Sequence, residues 1–353
     1  MITYVNYAGL APLRPASYLR SLWAPELFGN MGLPHYAKQT DRLREKVAAW
    51  IGCGAHQVAF FPSTSMALSM VAHAIPWQTG DTALYPADDF ASNIQAWEAL
   101  EKLEAKAEGI TNWNTPWPES TRLISLSTVN YSSGIEAPWK TIIAEARSKN
   151  IWTCVDAIQS AGIKPSWNPD IDFWCAGTQK WLVSGLGLAI VVLGDRVLSQ
   201  LKPPFPNWLG LNTPADISSG MACTARGWEI GWITPTALTR FESSLDYFNK
   251  VGWTTVTEKV KERRDYLHEQ LLEMGLHVVS CPKAWSGIVS FAPGAKQAER
   301  LVKAGYDKRI IMAKRGDYVR LSPHMFTPMK QLHKVSQWLN QSTVQSVTIR
   351  SSN

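Results

Sequence analysis

Apolar residues along the 353-residue chain fall into short runs separated by helical stretches, and the two patterns alternate for most of its length. In TDRLREKVAAWIG (residues 40–52), Leu43, Val47, Ala48 and Ile51 recur at helical spacing after a Thr/Asp start and before a glycine stop. The run QVAFF then predicts a strand. PSTSMALSMVAHAI opens on small hydroxyl residues and continues as a helix with Met66, Ser69, Met70 and His73 on one side. Strand, polar turn and helix form the unit from which parallel sheets are built. The unit recurs as DTALYP with a helix over 92–108, as RLISLSTVN with a helix around 142–148, and in the strands IWTCVD, IDFWCAG and LAIVVLG. Several of these strands are apolar at every position, as expected when helices cover both faces of a sheet.

From Trp253 the texture changes. A long charged helix (VTEKVKERRDYLHEQLLEMG) precedes the short strands HVVSC, GIVSFA, RIIMA and YVRLS, a last helix over 329–339 and the polar tail QSTVQSVTIRSSN. The fold expected is α/β, with a mostly parallel central sheet over 15–250 and a smaller α+β domain over 251–353, after an N-terminal segment of residues 1–14.

Composition narrows the function. The N-terminus MITYVNYAGLAPLRP lacks a basic start followed by an apolar core, and no run approaches the roughly 18 apolar residues that span a bilayer. A cytoplasmic protein with no membrane partner is expected. Five cysteines, odd in number and without a C-x-x-C pair, indicate neither a disulfide framework nor a zinc site, and no other metal-ligand cluster is present. The net charge of +6 is scattered, so nucleic acid is not an expected partner. Seventeen tryptophans should serve mainly in cores or interfaces.

Open parallel sheets bind ligands beyond the carboxyl ends of their strands. Asp156 ends IWTCVD, Lys180 follows IDFWCAGTQ, Ser63, Thr64 and Ser65 follow QVAFF, and Phe90 and Asn130 follow other strand-like runs. Each has a plain structural role open to it. Asp156 and residues 63–65 suit helix caps, Phe90 suits a core, and Lys180 could run its stem along an apolar wall with its head in water. Together they suit one ligand with a phosphate, an aromatic ring bearing a basic nitrogen, and a carbonyl open to a lysine amine. Pyridoxal 5'-phosphate has all three, and its protein partners are a Schiff-base lysine and an acid on the ring nitrogen.

CVDAIQSAG and DFWCAGTQKW, whose lysine falls 24 residues after the Asp of the first, resemble the signature of the class V aminotransferase family of fold-type I enzymes. That group includes cysteine desulfurases, selenocysteine lyases, kynureninases, isopenicillin N epimerase-like proteins and C–S lyases. The resemblance runs through VNYAGLAPL, FFPSTSMALSMV, DDFASN, NYSSG and GDYVRLSPHMF. It implies a homodimer with its sites at the subunit interface and an N-terminal segment near the active site. It also implies that Lys180 is the Schiff-base lysine, Asp156 the partner of the ring nitrogen, and Gln159 the partner of the phenolic oxygen. Thr64, Ser65 and Thr178 match phosphate ligands, with Ser63 beside them. Phe90 matches the aromatic that stacks on the ring, and Asn130 or Tyr131 touches it. Arg320 matches the arginine that takes the substrate carboxylate in a two-pronged pair.

The departures set the expected chemistry. Gln179 stands where relatives commonly have histidine. Trp232 follows Gly231 where a glycine–threonine pair reaches the neighbouring subunit's phosphate, so either Thr234 substitutes or that contact is missing. Trp181, Trp228 and Trp232 are candidates for a substrate pocket, with core roles equally open to them. Desulfurases carry a nucleophilic cysteine on a loop before the carboxylate arginine. Here that loop reads AGYDKRIIMAKRGD, and Cys281 lies 39 residues before Arg320. Without the thiolate no enzyme persulfide forms by the usual route. The expected reaction is α-proton abstraction followed by C–S lyase-like β- or γ-elimination from an amino acid. Aminotransferase, epimerase and cyclase chemistry are the alternatives, and a PLP-free binding scaffold is the reading from outside enzymology.

Overall fold

The computed structural model describes residues 2–348 apart from 215 and 284. β1 (Thr3–Tyr4) and α1 (Pro15–Ser21) lead into α2 (Leu33–Ile51). Next come β2 (Val58–Phe61), α3 (Thr64–Ala74), β3 (Thr82–Pro86), α4 (Ala91–Glu98), β4 (Lys106–Ile110), β5 (Thr121–Ser127), α5 (Trp139–Ser148), β6 (Trp152–Asp156), β7 (Phe173–Gly177), β8 (Ala189–Leu193) and α6 (Asp195–Gln200). After α7 (Pro235–Val251) and α8 (Trp253–Glu273), the chain forms β9 (Val289–Phe291), α9 (Ala295–Asp307), β10 (Ile310–Ile311), β11 (Ala313–Arg315), β12 (Tyr318–Leu321) and α10 (Met329–Thr348).

The central sheet has seven strands in the order β2-β8-β7-β6-β5-β3-β4. Only β8 runs counter to the others, antiparallel to both β7 and β2. Alternation within each strand explains why the sheet is covered on both faces. Phe60, Ile124, Val155, Trp174 and Ile190 point to one side and pack with Leu43 and Val47 of α2, Ile142 of α5 and Phe241 of α7. Phe61, Leu123, Cys154, Phe173 and Val191 point to the other and pack with Leu68 and Val71 of α3 and Trp97 of α4. A third core joins α8, α9 and α10 to the three-stranded sheet β11-β12-β9 through Leu267, Leu301, Leu332 and Phe291.

Four expected elements differ. The helix read from a Thr/Asp start at residue 40 begins at Leu33, with Pro34 in its first turn, so Thr40 and Asp41 lie within it. The helix over 92–108 stops at Glu98, and residues 106–110 form β4, an edge strand paired in parallel only with β3. Its sequence KAEGI is half in water and carries no apolar run, so periodicity could not mark it. HVVSC is reduced to a single bridge, Val278 to Phe291. The last helix continues to Thr348, well into the polar tail, and residues 349–353 lie outside the described ones.

The other edge of the sheet, β2, is closed by a buried ion pair. Arg44 and Glu229 meet in a two-pronged pair at 2.7 and 2.8 Å. Arg44 Nη1 also donates to the Val58 carbonyl at 2.8 Å, and the Phe60 amide donates to Glu229 Oε1 at 2.8 Å. The pair thus satisfies the backbone groups that β2 turns away from β8. Glu229→Ala leaves a buried guanidinium without its carboxylate, and unfolding in urea is expected to require about 3–5 kcal/mol less. A loss within about 1 kcal/mol would show that water replaces the carboxylate.

Candidate active site

Because β2, β3, β5, β6 and β7 run in one direction, the residues that follow them share one crevice. It holds a cavity of about 210 Å³, whose wall is completed by Ala8 and Gly9 and by Arg315 and Arg320 of the β11–β12 hairpin. Larger clefts lie elsewhere, but titratable groups from separate elements converge here.

At the end of β2, Ser63 caps α3, its hydroxyl accepting from the Met66 amide at 3.2 Å. Thr64 Oγ1 is buried in the same turn with no hydrogen-bond partner among the described residues. Ser65 Oγ lies 2.7 Å from Ser92 Oγ. A Cβ on Gly177, at the end of β7, would sit 3.0 Å from Thr64 Oγ1 and collide with Gln179 Oε1. The glycine therefore keeps this floor open. A capped helix start with a spare buried hydroxyl is suited to a phosphate.

Asp156 closes β6, and its Oδ1 accepts from the Ile158 amide at 2.9 Å. Burial pushes its pKa up to about 7, against the pull of that amide and of Lys180, while Asp89 raises it further. Lys180 opens onto the cavity, its Nζ 5.7 Å from the centre of the Phe90 ring. Burial draws its pKa down to about 8. Arg320 and Arg315 add to the fall, and Asp156 and Asp89 oppose it. Gln159 is anchored at both ends: Nε2 donates to the Ala8 carbonyl at 3.1 Å, and Oε1 accepts from the Trp181 indole at 3.0 Å. Phe90 is half exposed and meets Tyr131 edge-on at 5.3 Å.

Arg320 is fully buried, yet it forms no ion pair among the described residues. It donates to the Tyr131 carbonyl at 2.6 Å and to Asn6 Oδ1 at 3.2 Å, and its Nε has no partner. Burial and the nearby Arg315 lower its pKa to about 9. A guanidinium held dry by neutral acceptors is suited to an anion.

Five candidate residues are not on the wall of this chain's cavity. Thr178 is fully buried and spends its hydroxyl on the Leu188 carbonyl at 3.1 Å. Asn130 closes its own turn, Oδ1 accepting from the Ser132 and Ser133 amides at 2.9 Å each. Trp232 stacks on Tyr36 at 5.4 Å, outside the cavity wall. Trp181 and Trp228 are buried in cores. Sequence reasoning passed over Asp89, Ser127 and Arg315, which do line the cavity. Asp89 accepts from the Phe90 amide, Asn93 Nδ2 and Ser127 Oγ, each at 2.7 Å, and so ties the Phe90 loop to β5. Its place directly before Phe90 in DDFASN was a readable signal.

An α/β sheet with a lysine, an acid and a phosphate-ready helix start at its strand ends defines a pyridoxal 5'-phosphate-dependent enzyme of fold-type I. The aminotransferase class-V family model matches residues 33–348, and the chain belongs to that family. It is similar to an uncharacterized aminotransferase, YcbU, of Bacillus subtilis (26% identity, 84% of this chain, 81% of the relative). A cysteine desulfurase of Pectobacterium atrosepticum is 23% identical over 84% of this chain and 75% of its own. In structure it resembles the cystine C–S lyase C-DES, solved with its product cysteine persulfide (TM-score 0.87, 18% identity, 96% of this chain and 97% of that one). The residues present fit the cofactor: the orphaned Thr64 hydroxyl suits its phosphate, the buried Asp156 its ring nitrogen and the Lys180 amine its aldehyde.

The lowered lysine pKa can be read directly. In cofactor-free protein, labelling of Lys180 by trinitrobenzenesulfonate should reach half its limiting rate near pH 8, not near the ordinary lysine value of 10.5. Asp156→Asn removes the carboxylate that holds the proton on, so the inflection should move lower still. An inflection near 10.5 in the parent protein would contradict the burial argument.

Proposed function

We propose that the protein is a lyase that eliminates a sulfur-bearing β- or γ-substituent from an amino acid without an enzyme persulfide. The carrying observation is the β11–β12 hairpin. Where desulfurases need a cysteine-bearing loop, this chain turns on Gly316 and Asp317 alone, and among the described residues none on the cavity wall is cysteine. Cys154 and Cys175 are buried in the central sheet, and Cys53, Cys223 and Cys281 lie off the cavity.

Bound at this site, pyridoxal phosphate supplies an electron sink for negative charge at the substrate's α carbon. In our reading, Arg320 takes the substrate's α-carboxylate and fixes its orientation. Lys180, with its amine already lowered toward neutrality, removes the α proton. Asp156 would hold a proton at the ring nitrogen, the second amide N–H of Gln159 would serve the phenolic oxygen, and Phe90 would lie against the ring. Ser63, Thr64 and Ser65 take the phosphate. For a β-substituted substrate, the C–S bonding pair would leave with the sulfur as a thiolate, or as a persulfide anion from cystine, which takes up a proton, and water would hydrolyse the remaining enamine to pyruvate and ammonia.

A homodimer is part of the proposal. Leu19, Leu22, Trp23, Leu27, Phe28 and Met31 are exposed along one short segment, beside a cleft of about 610 Å³. A second copy covering that apolar face accounts for it. Transamination is the second reading, favoured by the YcbU relative.

Incubating the purified enzyme with cystine or an S-substituted cysteine should yield pyruvate and ammonia without an amino acceptor. Keto acid formed only with an acceptor would decide for transamination. Lys180→Ala should lose visible imine absorbance and lower kcat by about 100-fold or more. A triple variant, Cys53→Ser, Cys223→Ser and Cys281→Ser, should stay within about twofold of the parent in sulfur release. A collapse of release in it would restore a persulfide route.

A further inference from the structure

We propose that Arg315 forms a second anion subsite in the cavity, and that the substrate's side chain therefore ends in a carboxylate. The inference rests on the reading above in one respect, that Arg320 takes the α-carboxylate. Its own ground is the hairpin geometry and the charge of the wall.

The register pairs Ala313 with Arg320 and Arg315 with Tyr318 across a two-residue turn. Side chains two apart on a strand share a face, so Arg315 stands on the same face of the sheet as Arg320, diagonal to it. Gly316, at φ +54°, lets the chain turn that tightly, so Arg315 sits at a fixed corner and not on a long loop. Both arginines line the cavity. Lys314, between Ala313 and Arg315, faces the other way and pairs with Glu299 at 3.2 Å. Arg315 is half-buried, and its one hydrogen bond among the described residues, 2.7 Å from Nη1, goes to the Lys314 carbonyl. It forms no ion pair among them, so most of its planar fork is unspent.

The wall thus carries Lys180, Arg315 and Arg320 against Asp89 and Asp156. Asp89 is already engaged by Phe90, Asn93 and Ser127. A single α-carboxylate answers one guanidinium, and with the cofactor's phosphate assigned to the helix start at residues 63–65 the other has no anion of its own. An amino acid with a second carboxylate at the far end of its side chain answers both. Arginine suits this task because its fork matches a carboxylate oxygen for oxygen.

The test uses the cofactor-loaded enzyme and unreactive probes, so it reads binding and not turnover. Calorimetry with succinate, glutarate and adipate is compared with butyrate. At least one dicarboxylate should bind ten- to a hundredfold more tightly than butyrate, the range expected of one extra charged hydrogen-bonded pair. Arg315→Gln should erase that difference while changing butyrate less than about threefold, and Arg315→Lys, which keeps a charge without the fork, should restore part of it. No preference for any dicarboxylate in the parent overturns the proposal. So does equal weakening of butyrate, which would put Arg315 on the α-carboxylate, or a tenfold loss of cofactor affinity in Arg315→Gln, which would put it on the phosphate. If cystine yields no pyruvate but the dicarboxylate preference stands, the elimination reading fails and the subsite remains.

Discussion

Charged side chains stay in an apolar crevice only where rigid backbone holds them and some other charge or dipole answers theirs. Here Asp156, Lys180 and Arg320 are held at the ends of β6, β7 and β12, and the rest of the structure can be understood as the means of holding them. The central sheet supplies the first two. Arg320 needs both the Tyr131 carbonyl after β5 and Asn6 near the N-terminus, so the site is complete only when the N-terminal segment and the C-terminal sheet dock together. The opposed pKa shifts of Asp156 and Lys180 follow from the same constraint: burial discourages both charges, and each partly restores the other.

Behind the lysine, one layer of packing joins the central sheet to the segment that follows β12. Trp181 is fully buried, bonded through its indole to Gln159, and its carbonyl lies 3.1 Å from His324 Nε2. Gly287 has no Cβ because one would overlap the Trp181 ring. His324 is stacked between Tyr7 and Phe326, and burial lowers its pKa to about 3. It therefore stays neutral and donates to the Trp181 carbonyl without adding a further positive charge behind a wall that already carries three.

How much of this was legible in the sequence depends on what fixes each residue. Ser63, Thr64, Ser65, Phe90, Asp156 and Lys180 follow strands, and strand direction alone brings them to one edge, whereas Gln159 and Arg320 are legible only through the family resemblance. Strand direction does not reveal which side chains a neighbouring group has already taken. The Thr178 hydroxyl is taken by a carbonyl ten residues on, across the β7–β8 turn. Trp232 is claimed by Tyr36, far back in the chain. Asn130 prefers the amides of its own turn, a local alternative that polar residues after strands often take. The strand β4 was lost because an edge half in water has no reason to be apolar. Arg315 was within reach: in AKRGDYVR a Gly-Asp turn between two extended runs fixes the register, and counting by twos puts it on the face of Arg320.

The hairpin is also where fold and chemistry constrain each other most. A protein thiol that collects sulfur must approach the substrate and then withdraw to pass its cargo on, which a long loop permits. A two-residue turn between paired strands does not swing, because the ladder from Ala313–Arg320 to Arg315–Tyr318 fixes both sides of it. Such a rim can recognise but cannot carry. In our reading the sulfur therefore leaves as a small molecule, and the rim contributes only shape and positive charge. That arrangement shifts selectivity away from a nucleophile that tests for sulfur and onto the static cavity wall. The residues nearest the substrate's far end then decide what is accepted, and the hairpin's contribution there is a guanidinium held at a fixed corner.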